Sequence, residues 1–229
     1  MLFRPLDHPL NWYEHDVRGS IELLGSYVAD IEVQVDKSIA NFHVNADEIG
    51  VEGTHPDEPP QFVKVHQGLD DTTWDLREIF GEYFPNLQRR SALITLFSFL
   101  EYELNRLCTL LQRTENYNVS FRDIAGAGIE RAKTYLLKVA SLDVDPAAAA
   151  WNEIKNIQAL RNLVVHADGR LSSHDGQERS RVVRYVASSA LLKGTTEVLL
   201  QAGYLKHTLD TFDAYFKLVH LAIKRRYGA

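Results

Sequence analysis

Cysteine is nearly absent from this sequence, which has only Cys108 in 229 residues. An intramolecular disulfide is therefore excluded, as are the zinc and iron–sulfur sites that need several cysteine ligands. Long apolar runs are also lacking, since none reaches the roughly 18 residues of a membrane-spanning helix. The opening segment carries Arg4, Asp7 and Glu14 among its apolar residues and does not resemble a signal peptide. These absences predict a soluble, cytoplasmic protein with no membrane partner.

An excess of basic residues is missing too, because 25 lysines and arginines face 31 aspartates and glutamates, a net charge of −6. This balance excludes a surface that is basic throughout, but it leaves room for a local basic site. The histidines show neither H-x3-H nor HExxH spacing, and no P-loop, dinucleotide fingerprint or nucleophile elbow occurs. We therefore expect no metal and no cofactor. The composition, with 45% hydrophobic and 24% charged residues, is that of a globular domain.

Apolar residues recur at spacings of three and four over most of the chain, which predicts α-helices. The clearest segments are His15 to Asn45, Leu87 to Arg113 and the last one. The buried residues predicted for the long middle helix are Leu93, Leu96, Phe97, Leu100, Leu104, Leu107 and Leu111. Those predicted for the last helix are Leu205, Leu209, Phe212, Phe216, Val219 and Ile223.

Shorter helices are predicted from their end signals. Thr72 to Phe80 has a helical pattern that Gly81 would stop. Ser120 and Asp123 form a capping box for a helix that ends near Ala140. Asp145 and Pro146 open another helix, which Asp168 and Gly169 stop after Ala167.

Two regions of the chain lack the helical pattern. The polar stretch from Asp47 to Asp71 contains three prolines and is predicted to be a loop. Arg181 to Ser188 and Thr195 to Leu200 are partly β-branched, and Lys193-Gly194 between them predicts a hairpin. The fold class is therefore all-α, a helical bundle with one small β-hairpin before the last helix. Residues 1–70 would form a helical extension with a Pro-rich loop, and residues 71–229 the helical domain.

The segment Ile154 to Gly169 carries the most distinctive chemistry. Placed on a helix, Arg161 falls within an arc of apolar residues, where a guanidinium costs several kcal/mol unless it is paired or reaches a cavity. Asn162 and His166 are four residues apart and share a neighbouring face. A histidine beside an arginine suits general acid–base chemistry on an anionic substrate. The alternative is structural, with Arg161 paired to a core carboxylate and His166 serving only to cap the helix.

The string Arg161-Asn162-x-x-x-His166 resembles the R-x4-H signature of HEPN domains. Two further segments, Ser91 to Leu107 and Phe121 to Val139, resemble helices of bacterial members of that family. The resemblance covers roughly residues 72–222. It implies a HEPN-like α-helical bundle that forms a homodimer, in which two R-x4-H motifs face each other across a cleft.

The resemblance also implies a function, metal-independent endoribonuclease activity in a toxin or phage-defence protein. His166 would act as general acid or base while the RNA 2′-OH attacks the adjacent phosphate. Arg161 would stabilise the phosphorane, and Asn162 would position both groups. The alternative is a catalytically inactive HEPN module that binds RNA, a nucleotide or a protein partner such as an antitoxin.

Four other residues are candidates for supporting roles. Glu101 is expected to pair with Arg161 and hold it, unless it is only a solvated charge. Arg89 and Arg90, at the start of the long helix, are candidates for contacts with RNA phosphate, with exposed arginines of no specific role as the alternative. Asp168 occupies the position at which one HEPN subgroup carries a modified tyrosine, so control by that modification is not expected here. Its carboxylate would instead cap the helix or hold His166.

Overall fold

The computed structural model describes residues 8–51, 61–144, 147–173 and 179–228, and most of these are helical. The long helices are α1 (Arg18–Asn45), α3 (Phe84–Glu115), α5 (Ala148–Ala167) and α7 (Tyr204–Tyr227). The short ones are α2 (Leu76–Glu78), α4 (Gly128–Lys138) and α6 (Ser180–Ser188). The expectation of a mainly helical bundle is confirmed.

Helix α3 runs through the centre of the bundle and contacts α1, α4, α5 and α7. Every residue predicted for its buried stripe is buried, and so is every residue of the predicted seam on α7. Cys108 also lies in this core, where its thiol donates to the Ala132 carbonyl oxygen at 3.7 Å. Burial raises the pKa of this thiol to about 12. In the described ranges, no helix combines the length and apolar composition needed to cross a membrane.

The predicted loop from Asp47 to Asp71 is wrong, because its described residues form a three-stranded antiparallel sheet. Its strands are β1 (Asp47–Val51), β2 (Gln61–His66) and β3 (Leu69–Asp70), in that order. All five residues of β1 are exposed, so the strand lacks the apolar–polar alternation that reveals a half-buried strand. Gln67 and Gly68, both with positive φ, make the tight turn between β2 and β3.

Two predicted helix boundaries are also wrong. Gly81 does not stop a helix, because α2 continues through a π-helical turn (Ile79–Tyr83) directly into α3. Pro85 lacks an amide hydrogen, which disfavours regular α-helical bonding in the turn before it. The Ser120–Asp123 capping box forms, but it caps a short 3-10 turn (Phe121–Asp123), and α4 begins only at Gly128.

The predicted strand from Arg181 to Ser188 is wrong, since this segment is α6. Its buried residues Val182, Tyr185 and Val186 follow helical spacing, so packing overrides the strand preference of its valines. The hairpin near Gly194 does form, between β4 (Leu192–Lys193) and β5 (Leu199–Leu200). The helix opening predicted at Asp145 and Pro146 lies outside the described residues.

A buried histidine lies where the first turns of the chain pack on α7. His220 is 4% exposed, and its ring centroid lies 5.5 Å from that of Tyr13. Neither ring nitrogen has a hydrogen-bond partner among the described residues. Burial lowers the pKa of His220, the charge of Lys224 lowers it further, and Glu14 opposes the shift. The neutral ring is therefore the form that the fold accommodates.

This environment predicts a loss of stability in mild acid. The unfolded chain takes up a proton on His220 near pH 6.5, above the pKa of the folded state, so stability falls as pH drops below about 6.5. We expect His220→Leu to reduce the fall in melting temperature between about pH 7.5 and pH 5.5. His43→Leu, at an exposed site on α1, should keep the full wild-type fall. Equal falls in all three proteins would contradict the prediction.

Candidate functional site

The predicted end of α5 is confirmed. The helix stops at Ala167, and Asp168 and Gly169 both adopt left-handed backbone conformations, with φ of 50° and 75°. His166 is exposed in the last turn, and Asn162, one turn earlier, is exposed as well. The helix therefore presents both side chains to solvent near its carboxyl end.

Arg161 lies partly buried against α3. Its guanidinium carbon is 5.6 Å from the centre of the Phe97 ring, and Nη1 donates to Asn162 Oδ1 at 3.1 Å. The Nε atom is buried without a hydrogen-bond partner in the described part of the chain. A stacking contact and one hydrogen bond thus hold the guanidinium, and no carboxylate among the described residues neutralises it.

The expected ion pair between Glu101 and Arg161 is wrong, because no such pair forms within the described ranges. Glu101 Oε1 lies 2.7 Å from the point that a Cβ would occupy on Gly128. The carboxylate therefore faces the first turn of α4, where the positive end of the helix dipole favours a negative charge.

The structure does not bring Arg161 and His166 together within one chain. Five residues apart on a regular helix, they point about 140° away from each other. Arg161 faces α3, whereas His166 faces a surface groove at the end of α5.

We call this surface feature the His166 groove. It has a volume of about 560 Å³, and its polar lining residues are His166, Asp168, Arg170, Ser172, Ser173 and Arg179. Arg170 and Arg179 were missed by sequence reasoning, although both lie within 13 residues of the motif's histidine. They converge with His166 because the backbone turns at Gly169 and α6 packs against α5.

Beneath the groove, Arg90 is 3% exposed and ties three segments together. Its Nη1 donates to Asp168 Oδ1 at 3.3 Å, and its Nη2 donates to Glu197 Oε1 at 2.5 Å. Nη2 also donates to the Val198 carbonyl oxygen at 3.1 Å. Asp168 therefore pairs with Arg90 of α3, which is compatible with its expected capping role. It forms no hydrogen bond with His166 within the described residues.

Arg89 is engaged in a similar way. It donates to both carboxylate oxygens of Glu32 on α1 and to the Leu200 carbonyl oxygen. Buried and paired, Arg89 and Arg90 hold the bundle together, and this placement argues against the RNA contacts expected of them.

A second polar cluster, also missed from sequence, links α5, α6 and α7. Glu153 Oε1 lies 2.8 Å from His207 Nε2 and accepts from the Tyr185 hydroxyl at 2.6 Å. Burial raises the pKa of Glu153, but the bonds from Tyr185 and His207 outweigh it and the net shift is downward. Sequence offers little signal for this cluster, because 54 residues separate Glu153 from His207. No group of three or more His, Cys, Asp or Glu able to hold a metal ion occurs in the described ranges.

The contact between Gly169 and Arg90 predicts that a side chain at position 169 destabilises the fold. A Cβ at Gly169 would collide with Arg90 Nη2, and the positive φ alone costs a non-glycine residue roughly 1–2 kcal/mol. Gly169→Ala should therefore lower the free energy of unfolding by at least about 1 kcal/mol in urea denaturation.

Gly19→Ala is the matched control, because Gly19 lies in α1 with no atom near the new methyl group. It should raise the free energy of unfolding by up to about 1 kcal/mol. A Gly169→Ala protein as stable as wild type would contradict this account of the helix end.

Comparisons with models of known protein families, with curated proteins and with solved structures found no match for this chain. Its function is therefore inferred from the chemistry and geometry of its own residues.

Proposed function

We propose that this chain is a metal-independent endoribonuclease of the HEPN type and that it cleaves RNA at the His166 groove. The observation that carries the proposal is the exposed His166 beside Arg170 and Arg179 in one groove. Two guanidinium groups suit a phosphodiester, and an imidazole beside them suits proton transfer. The R-x4-H string supports the same chemistry.

The reaction needs a base, an acid and groups that stabilise negative charge on the phosphorane. A base removes the proton from the 2′-OH, and the 2′-oxygen attacks the adjacent phosphorus. The bond to the 5′-oxygen breaks, and that oxygen receives a proton. The products are a 2′,3′-cyclic phosphate and a 5′-OH. His166 serves as one of the two proton-transfer groups, while fixed arginines stabilise the charge that accumulates on the phosphorane.

Arg161 enters this scheme through a homodimer. Within one chain it points away from His166, so a second copy is needed to bring an Arg161 guanidinium to the groove. Asn162 holds Arg161 Nη1 and lies on the His166 side of α5, so it suits a positioning role between the two.

A module that binds RNA, a nucleotide or a protein partner without cleaving it is the second candidate. Two observations favour it. Phe97 and Asn162 already hold Arg161, and Asp168 places a carboxylate, 67% exposed, at the edge of the groove, where it repels phosphate.

RNA cleavage in EDTA by purified variants tests the proposal. His166→Ala should lower the rate roughly 10²–10⁴-fold, because it removes a proton-transfer group. Arg161→Ala should lower it about 10²–10³-fold, as the loss of an oxyanion-hole donor does. Asn162→Ala should have a smaller effect, because it positions Arg161 and transfers no proton.

His43→Ala, which alters an exposed histidine on α1, is the matched control and should cleave at the wild-type rate. Melting temperatures of all variants separate lost chemistry from lost folding. If no RNA is cleaved and expression of wild type is no more toxic than that of His166→Ala, the enzyme proposal is wrong and the binding module is the better account of the chain.

The homodimer has its own test. Light scattering of the wild-type chain at micromolar concentration should give twice the mass of 26.1 kDa. Mixing Arg161→Ala with His166→Ala should restore part of the cleavage activity, because one composite site in a mixed dimer keeps both residues. A monomer at every concentration, or no restored activity, would contradict the shared site.

A further inference from the structure

A second groove lies farther along α3, where that helix meets the segment leading into α4. Its lining includes four arginines and two aromatic residues: Arg106, Arg113, Arg122, Arg131, Tyr102 and Phe121. We call it the arginine groove. Its volume of about 780 Å³ is within the range of small-ligand sites, and none of the described residues that line it is acidic. Fifteen residues of α3, about 22 Å, separate Arg90 beneath the His166 groove from Asn105 in this one.

The positive charge of the arginine groove is only partly compensated. Arg106 pairs with Asp16 at 3.2 Å and with Glu103 at 3.6 Å, so it belongs to the floor. Arg113 and Arg122 are exposed and form no ion pair in the described ranges. On a chain with a net charge of −6, two uncompensated guanidinium groups beside two further arginines mark a local anion site.

The acidic residues adjacent in sequence to Arg122 and Arg131 are engaged elsewhere. Asp123 accepts the Ser120 amide hydrogen at 2.8 Å in the capping box. Glu130 forms an ion pair with Lys155 on α5. Neither carboxylate neutralises Arg113 or Arg122 by direct contact.

Aromatic rings accompany the arginines. Tyr102 is 54% exposed on α3, and Phe121 is partly exposed across the groove. The guanidinium carbon of Arg131 lies 5.7 Å from the centre of the Phe121 ring, and its Nε donates to the Gly126 carbonyl oxygen at 2.9 Å. Exposed aromatic faces combined with arginines are the features by which proteins stack nucleobases and hold the phosphates that link them.

We propose that the arginine groove binds a nucleotide unit, with the base stacked on Tyr102 and the phosphate held by Arg113 and Arg122. The nucleotide is either part of a single RNA strand or a free nucleotide. This site goes beyond the cleavage chemistry of the His166 groove and does not depend on it. Binding that depends on Arg113 and Arg122 is measured without any cleavage step, so failure of one proposal stays distinct from failure of the other.

Binding of a strand is measured by fluorescence anisotropy with a labelled oligouridylate of about 12 nucleotides whose 2′-oxygens are methylated, so that 2′-OH attack cannot cleave it. Binding of a free nucleotide is measured by calorimetry with AMP. The double substitution Arg113→Gln/Arg122→Gln should weaken binding about tenfold or more at low salt. For the strand, it should also reduce the slope of log affinity against log salt by about 1.4, because two phosphate contacts are lost.

Tyr102→Ala tests the stacking contact and should weaken binding roughly 5- to 150-fold, whereas Tyr102→Phe, which keeps the ring, should bind like wild type. Lys37→Gln/Arg77→Gln is the matched charge control, since both residues are exposed outside the groove, and it should change affinity less than about twofold.

The two probes decide the source of the ligand. If the oligouridylate binds through Arg113 and Arg122 and AMP does not, the ligand is an RNA strand. If AMP binds through the same arginines as tightly as the oligouridylate, the ligand is a free nucleotide. Binding of neither probe overturns the proposal. The proposal is also overturned if Lys37→Gln/Arg77→Gln weakens binding as much as Arg113→Gln/Arg122→Gln does. General electrostatic attraction would then explain the affinity.

Discussion

The guanidinium of Arg90 is the contact on which the candidate site depends. It is almost fully buried, and it joins the start of α3 to the end of α5 and to the β4–β5 hairpin through Asp168, Glu197 and Val198. A buried charge is costly unless geometry and hydrogen bonding compensate it, so these three segments are held in one arrangement. The left-handed turn at Gly169 brings the backbone onto this guanidinium. His166 and Arg170, on either side of that turn, are thereby fixed relative to each other.

Helix α3 also sets the spacing between the two grooves. Its 32 residues, from Phe84 to Glu115, reach from the His166 groove to the arginine groove. Because its apolar face is buried along its whole length, the helix acts as a rigid spacer between the two. Arg161 stacks on its Phe97 from one side, and Arg106 and Tyr102 belong to its far half. One helix therefore sets the separation of both basic surfaces.

The parts of the fold that sequence predicted are those that local patterns determine. Unbroken apolar spacing located α1, α3 and α7, and the Asp168-Gly169 pair located the end of α5. The sheet β1–β3 escaped prediction because β1 is exposed on both faces, and α6 escaped because its valines resemble a strand until their packing is known.

The same distinction holds for the candidate site, where local sequence determines some features and distant contacts determine the others. The partial burial of Arg161 follows from its position on the apolar arc of α5, and the shared face of Asn162 and His166 follows from their spacing; the sequence indicated both. Arg89 and Arg90, a doublet near a helix start, have the pattern of surface residues. Their burial depends on Glu32 and Glu197, which are 57 and 107 residues away in the chain. The convergence of Arg170 and Arg179 on His166 likewise depends on the packing of α6 against α5, which no local pattern encodes.

The buried thiol of Cys108 has a practical consequence. Alkylating reagents and mild oxidants attack the thiolate, and a thiol with a pKa of about 12 in a closed core offers almost none of it at neutral pH. We therefore expect the folded chain to react with maleimides as if it had no cysteine. One cysteine introduced on an exposed helix face would be the single point of attachment for a dye or spin label, with no need to alter the core.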